Sequence, residues 1–363
     1  MIRRSTNPFT PTFGSMPYAL AGRTELIDDV IGGLANRPGD PNRSTIFIGP
    51  RGSGKTVLLR TIAEEASAQG WVCVSVSARK GLHRELFDGI AQVAHHLLVS
   101  KPSTTITGVQ VGPLGLQREL LLDEQQSDRF RLQAIVEDLN AQDIGLLVTI
   151  DELDPTCEEL IDFIDTYQHL VTEGRDVALL MAGLPSKVST LLLDESVSFI
   201  RRAFQRRLDP INRYEVEEAL FATITGNDKQ IDQEALSFAA EATQGFAFAI
   251  QLVGYYLWRF GYGHDVITVD DAHAAVNYAK KEILNAIVEP SLRELTQREL
   301  EYLEAMALDD GPLATSVVAQ RMGISMTNAS NLRRRLIDRG LIAEVSYGVV
   351  DFVMPVMRDY LRR

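Results

Sequence analysis

The sequence predicts an α/β chain in three units: a core built on a parallel sheet, a helical lid, and a C-terminal winged helix-turn-helix. Three observations carry this. Gly49-Pro50-Arg51-Gly52-Ser53-Gly54-Lys55-Thr56 has G-x-x-x-x-G-K-[ST] spacing, and lies between the β-branched apolar run Ser44 to Ile48 and a segment of helical period, Val57 to Ala63. Gly145 to Ile150 is a continuous apolar run that ends in Asp151-Glu152, the pattern of a strand buried on both faces. From Arg213 the period is helical, and from Thr296 the order becomes helix, turn, helix and hairpin.

The elements follow in order. Trp71 to Ala78 reads as a strand, Leu132, Ile135, Val136 and Leu139 as one helix stripe, and Val177 to Ala182 as a fourth strand after a helix marked by Leu160, Ile161, Ile164 and Tyr167. Strands alternating with helices imply a parallel sheet covered on both sides. Ile106 to Leu116, rich in glycine, interrupts the pattern within an insertion at 101–125 and reads as a hairpin or flap. Phe246 to Trp258 is too short to cross a bilayer and reads as a buried helix. Ile283 to Leu295 bridges to the last unit, where Thr296-Gln297-Arg298-Glu299 is a capping box. Helices are expected over Thr315 to Met322 and Met326 to Arg339, with a hairpin turning near Tyr347-Gly348. The expected boundaries are 1–212 for the core, 213–294 for the lid and 295–363 for the winged helix.

The first motif is a phosphate-binding loop. Its glycines let backbone N–H groups surround a polyphosphate at a helix N-terminus, where unpaired donors and the helix dipole favour an anion. Gly49 to Val57 are therefore the expected nucleotide contacts, with Lys55 on the terminal phosphates and the Thr56 hydroxyl on Mg²⁺. Asp151 would share the metal and Glu152 would polarise the attacking water. In the last unit, Ala329, Leu332 and Leu336 are expected to face the core. Thr327, Ser330, Asn331 and Arg334 would then project outward, flanked by Arg333 and Arg335. These side chains suit phosphates and base edges. The hairpin, however, carries Glu344 and Asp351 and no Lys or Arg, so a packing or protein-binding role stands beside DNA contact.

The net charge of −13 argues against nonspecific nucleic-acid binding by the whole chain. Residues 295–363 are neutral, with nine basic and nine acidic residues, so any such contact should be local and C-terminal. No apolar run is long enough to span a membrane, and Met1 to Pro8 is basic but lacks the apolar stretch of a secretory signal. Cys73 and Cys157 are the two cysteines; Cys73, within a strand, reads as a buried free thiol in a cytoplasmic protein. His95-His96 has no metal-ligand spacing around it and reads as helix surface.

Together these motifs resemble the AAA+/STAND ATPases, in the branch near the origin-recognition replication initiators. Leu20-Ala21-Gly22-Arg23-Thr24-Glu25 is similar to the hhGRxE motif of that group, which implies that Leu20, Gly22 and Arg23 line the nucleotide base. Phe13 to Pro17 before it fits bacterial members. Ala182-Gly183-Leu184-Pro185 stands where the group ends its fourth strand. Phe199 to Phe204 resembles the arginine-finger segment, which implies Arg202, or Arg201, as the finger acting on a neighbouring subunit or within the closed chain. The resemblance implies an ATP/ADP and Mg²⁺ cofactor set, a homo-oligomer and duplex DNA as a partner. Two departures stand out. The fourth strand offers Met181, Ala182 and Gly183 but no Asn or Thr, and Gln244-Gly245-Phe246-Ala247 lacks the sensor arginine. Both point to slow hydrolysis or a nucleotide-gated switch. The alternatives are a signalling scaffold that scarcely hydrolyses ATP and, less in keeping with the last unit, a P-loop transferase.

Overall fold

The computed structural model describes residues 6–12, 15–99 and 127–362, the last six of the middle stretch, 94–99, by their backbone alone. The 101–125 insertion, the His95-His96 side chains and Phe13-Gly14 lie outside the described residues.

Five strands form one sheet: β1 (Ser44–Ile48), β2 (Val72–Ser77), β3 (Leu146–Asp151), β4 (Val177–Gly183) and β5 (Phe204–Arg207). Their order is β2-β3-β4-β1-β5, and every pairing is parallel. Among the described residues six helices cover it: α1 (Thr24–Ala35), α2 (Lys55–Ala68), α3 (Leu82–Val99), α4 (Asp128–Asn140), α5 (Glu158–Thr172) and α6 (Pro185–Leu193). Side chains alternate along each strand. In β4, Val177, Leu179 and Met181 join the core beneath α3 to α6, whereas Ala178, Leu180 and Ala182 join the core beneath α1 and α2. β1, β3 and β4 are buried on both faces, which is why they read as nearly unbroken apolar runs, whereas β2, at one edge, has Ser75 exposed. The buried Arg43 ties α1 to the sheet. Its guanidinium donates to Gly33 O (3.0 Å), Leu34 O (2.9 Å) and Asn36 O at the helix C-terminus, and to Asp176 Oδ1 at 2.8 Å.

Strand β5 was not expected. As an edge strand with mostly exposed side chains it carries no apolar run to betray it, and its pairing to β1 fixes its place.

The second unit contains α7 (Arg213–Thr225), α8 (Gln233–Thr243), α9 (Ala247–Phe260) and α10 (Val269–Ile283). It departs from the all-helical expectation by one parallel pair, β6 (Gln230–Ile231) with β7 (Val266–Ile267), too short to leave a period in the sequence. The expected bridge is helical too: a π turn over Leu284–Val288 runs straight into α11 (Glu289–Arg293).

The last unit contains α12 (Gln297–Ala307), β8 (Leu313–Ala314), α13 (Thr315–Met322), α14 (Met326–Asp338), β9 (Ile342–Ser346), β10 (Val349–Phe352) and α15 (Pro355–Leu361). The capping box forms as expected: Glu299 N donates to Thr296 Oγ1 at 3.3 Å, and Thr296 N to Glu299 Oε2 at 2.9 Å. Gly323, at φ +63°, ends α13, and the antiparallel sheet has the order β8-β10-β9. Ala329 and Leu336 are fully buried and Leu332 packs partly against them. One apolar core runs through both later units, from Phe9 and Leu220 to Leu336 and Met357.

Candidate functional site

The site forms where β1 and β3 end. After Ile48 the chain turns through Gly52 (φ +80°) and Gly54 (φ +89°) into α2. Gly54 caps that helix without a side-chain acceptor, so the first N–H groups of α2 are left for a ligand. Position also requires these glycines. A Cβ on Gly54 would lie 3.1 Å from Ala247 Cβ, and one on Gly52 would meet Ile287 and Phe248 at 3.3 and 3.4 Å. Phe248 N donates to Gly52 O at 3.1 Å, so the start of α9 rests directly on the loop.

Lys55 Nζ donates to Gly49 O (2.9 Å) and Pro50 O (2.7 Å). Burial lowers its pKa to about 8 against the opposing pull of Asp151 and Glu152. Thr56 Oγ1 donates to Asp151 Oδ2 at 2.5 Å, joining two positions 95 residues apart. Glu152 adopts φ +52°, a left-handed conformation costing a non-glycine residue about 1 kcal/mol. It is held there by its own N–H on Asp151 Oδ1 (2.8 Å) and by Leu153 N on Ala182 O (3.0 Å). Local strain of this kind fixes the carboxylate at the cavity edge.

These groups border a cavity of about 580 Å³, within the size range of small-molecule sites. Leu20, Arg23, Arg51 to Val57, Asp151 and Glu152 all line it. Gly22, Gly49 and Pro50 do not; they shape the backbone. A Cβ on Gly22 (φ +58°) would fall 2.6 Å from both Glu215 Oε2 and Ile211 Cγ2. Arg23 donates to Asp209 O at 2.7 Å, and burial lowers its pKa despite Asp209 and Glu215.

Several lining groups belong to no sequence motif. Ile211 and Phe248 come from the second unit and the chain leading into it, and Thr10 to Thr12 from an N-terminal segment whose Phe9 is buried against Gly254. Lys187, on α6, also lines the cavity and pairs with Asp154 Oδ1 at 3.0 Å. The signal for it was a lone lysine four residues after the end of β4.

Arg201 and Arg202 are not brought to this cavity. Both are exposed on a 3₁₀ turn, Ser198–Arg202, and Arg201 Nε donates to Leu192 O at 2.6 Å. In the last unit Thr327, Asn331 and Arg334 are placed on the outer side of α14, and Ser330 is half-buried. Arg333 differs from expectation. It is half-buried, with its guanidinium 3.5 Å from Glu344 on β9, because the neighbouring hairpin supplies the carboxylate.

A family model described as an AAA domain matches residues 39–192. That stretch is an AAA domain. A second model, of a domain of unknown function, matches residues 285–361. The AAA match spans β1 to β4 and nearly all of α6, so the phosphate loop, Asp151, Glu152 and Lys187 all lie inside it. No curated protein matches the chain in sequence. Among solved structures, the Walker-type ATPase PABY2304 of Pyrococcus abyssi superposes with a TM-score of 0.69 at 17% identity, covering 95% of this chain and 96% of that one. The ORC2 protein of Aeropyrum pernix, in ADPNP–ADP complexes, gives 0.63 at 13% identity, with 97% of each chain covered. Cdc6p of Pyrobaculum aerophilum gives 0.50 at 18%, again over 97% of each. The AAA domain and the units after it thus share the overall fold of these three proteins. No helix among the described residues is long and apolar enough to cross a membrane.

Proposed function

We propose that this protein is a Mg²⁺-dependent ATPase of the AAA+/STAND type, a slow switch whose nucleotide state governs a C-terminal winged helix acting on duplex DNA. The observation that carries the reading is one cavity bordered by Lys55, Thr56, Asp151 and Glu152 and overlain by the start of α9. Residues 1–212 serve as the core, 213–294 as the lid and 295–363 as the winged helix.

Gly49 to Val57 wrap the phosphates, while Leu20, Gly22 and Arg23 bound the base. Lys55 exchanges two loop carbonyls for phosphate oxygens, recovering a charge partner in a buried place. The converging hydroxyl of Thr56 and carboxylate of Asp151 fit a small hard cation that takes few protein oxygens and completes its shell with phosphate and water. Mg²⁺, when bound, neutralises charge on the terminal phosphates. Glu152 accepts a proton from the attacking water. Because neither Arg201 nor Arg202 borders its own cavity, the finger role of Arg202 belongs in trans, which calls for a homo-oligomer. Thr327, Ser330, Asn331 and Arg334 make the DNA face, and Arg333 braces the hairpin behind it.

The second reading, a nucleotide-gated scaffold whose last unit binds protein, is favoured by the acidic hairpin and by the packing of that unit on the core. A Cβ on Gly340 would lie 3.4 Å from Pro50 Cβ and 4.0 Å from Pro185 Cδ. The discriminating experiment measures ATP turnover with and without random duplex DNA, with oligomeric mass followed in the same samples. Lys55→Ala should abolish nucleotide binding; Glu152→Gln should retain it and slow hydrolysis about 10²-fold or more. Wild-type nucleotide affinity in Lys55→Ala would sink the site. Turnover and mass indifferent to DNA, with no DNA bound, would leave the scaffold reading in place.

A further inference from the structure

Among the described residues, four cationic side chains border the cavity: Arg23, Arg51, Lys55 and Lys187. Arg23 is engaged at Asp209 O, Arg51 lies 3.4 Å from Glu294, and Lys55 serves the loop. Lys187 lies on α6, just after the end of β4, and is paired with a single carboxylate. Its partner Asp154 follows Asp151 and Glu152 by two to three residues, and Lys187 lines the cavity together with all three carboxylates.

The Lys187–Asp154 pair is easily exchanged. Both side chains are about two-fifths exposed, at 42% and 40%, and an exposed ion pair contributes at most about 1 kcal/mol. Asp154 would not be stranded by losing it, since its Oδ1 also accepts from Thr156 N (3.2 Å) and Thr156 Oγ1 (2.9 Å). A polyphosphate offers Lys187 more negative charge than one carboxylate. The end of β4 offers no competitor, because Met181, Ala182 and Gly183 have no polar side chain.

Lys187 is the third residue of α6, in the first turn of the helix that starts at Pro185 and packs beside α14. Pro185 and Pro50 both abut Gly340, the residue at φ +70° that follows α14. The phosphate loop and the Lys187 helix therefore meet the last unit at the same point.

We propose that Lys187 reads the terminal phosphate of a nucleoside triphosphate, and that α6 passes this reading to the last unit at Gly340. The proposal rests on the nucleotide reading above and assigns the triphosphate-sensing role to a residue of the helix after β4. Binding of a triphosphate draws Lys187 from Asp154 to the phosphate and shifts the start of α6 against Gly340. A diphosphate leaves the Lys187–Asp154 pair in place and the junction unchanged.

The test uses the full chain, ADP and the non-hydrolysable triphosphate ADPNP, by titration calorimetry and by hydrogen exchange of the backbone over residues 337–343. The wild type should bind ADPNP more tightly than ADP and show different exchange at the junction in the two complexes. Lys187→Ala should lose about tenfold or more in ADPNP affinity, hold ADP affinity within about twofold, and give the same exchange with either nucleotide. Lys187→Arg should restore most of the preference. A wild-type ratio of the two affinities in Lys187→Ala, or an exchange difference that persists in it, overturns the proposal and leaves the site itself standing. A wild-type chain that binds neither nucleotide overturns the site and the proposal together.

Discussion

The junction between the sheet and the second unit depends on Gly245, and the dependence can be separated into two physical parts. Gly245 has φ +74°, and a Cβ there would lie 2.2 Å from Ile211 O and 2.7 Å from Ile211 N. Ile211 N also donates to Gly245 O at 2.9 Å, so the crowded backbone is itself hydrogen-bonded. Gly263, in the same unit, has φ +89°, and a Cβ on it would have no heavy atom within 4 Å. Alanine at Gly263 therefore meets only the left-handed backbone cost of about 1–2 kcal/mol. Alanine at Gly245 meets that cost, the loss of a hydrogen bond of about 1 kcal/mol, and an overlap with main-chain atoms that no rotamer change relieves. The expected destabilisation is about 3–5 kcal/mol for Gly245→Ala, against about 1–2 kcal/mol for Gly263→Ala. Urea unfolding of both variants, followed by circular dichroism, measures the difference. Because Ile211 lines the cavity, Gly245→Ala should also weaken ADP binding while Gly263→Ala leaves it unchanged. Equal losses in the two variants would refute the crowding argument.

Other perturbations have equally definite outcomes. Arg43→Met leaves the C-terminal carbonyls of α1 without their donors and should cost about 2–4 kcal/mol in the same assay; a loss under about 1 kcal/mol would contradict the role given to that guanidinium. Glu299 is pushed up by burial, but hydrogen bonds from the Thr296 N–H and hydroxyl and the nearby Arg339 outweigh this and hold its carboxyl below the usual range. Its folded pKa being depressed, its contribution is fully present above the unfolded value of 4.5 and is lost as pH falls below it. Glu299→Ala should thus cost about 1 kcal/mol near neutral pH and progressively less in acid, and a deficit constant with pH would refute the linkage. Arg202→Ala should leave ADP affinity unchanged and lower ATP turnover only at protein concentrations where oligomers form; equal turnover at every concentration, shared by Arg201→Ala, removes the finger from this segment.

What the sequence revealed depended on burial. Strands β1, β3 and β4 lie between two apolar layers and β2 buries its valines on one face, so their composition alone marked them, and the loop glycines marked the turn between β1 and α2. Strand β5 is held by backbone pairing at an edge, and Phe204, Gln205, Arg206 and Arg207 carry no trace of that. The acid pair at 151–152 was legible from its place after an apolar run, but the left-handed turn at Glu152 was not, because glutamate has no preference for it. Lys187 and Ile211 come to the cavity through tertiary folding of separate segments, which no local period records. Arg333 was misplaced for the same reason: helix spacing put it beside the exposed face, and a carboxylate on the following strand drew it inward.

The shared apolar core of the second and third units bears on how the molecule can move. Tyr302, Leu303 and Met306 of α12 are as deeply enclosed as Leu220 and Val253 of the preceding unit, and they belong to one cluster. Sliding one unit over the other would open that cluster to water at about 25 cal/mol per Å² of apolar surface. Pivoting both together about Ile211 and Gly245 keeps α12 packed on the second unit and disturbs instead the packing of Ala21 in that cluster and the contacts of Gly52, Arg51 and Gly340 with Phe248, Glu294 and Pro50. The second and third units are thus joined as one block, and a displacement of either at the phosphate loop would carry the other with it.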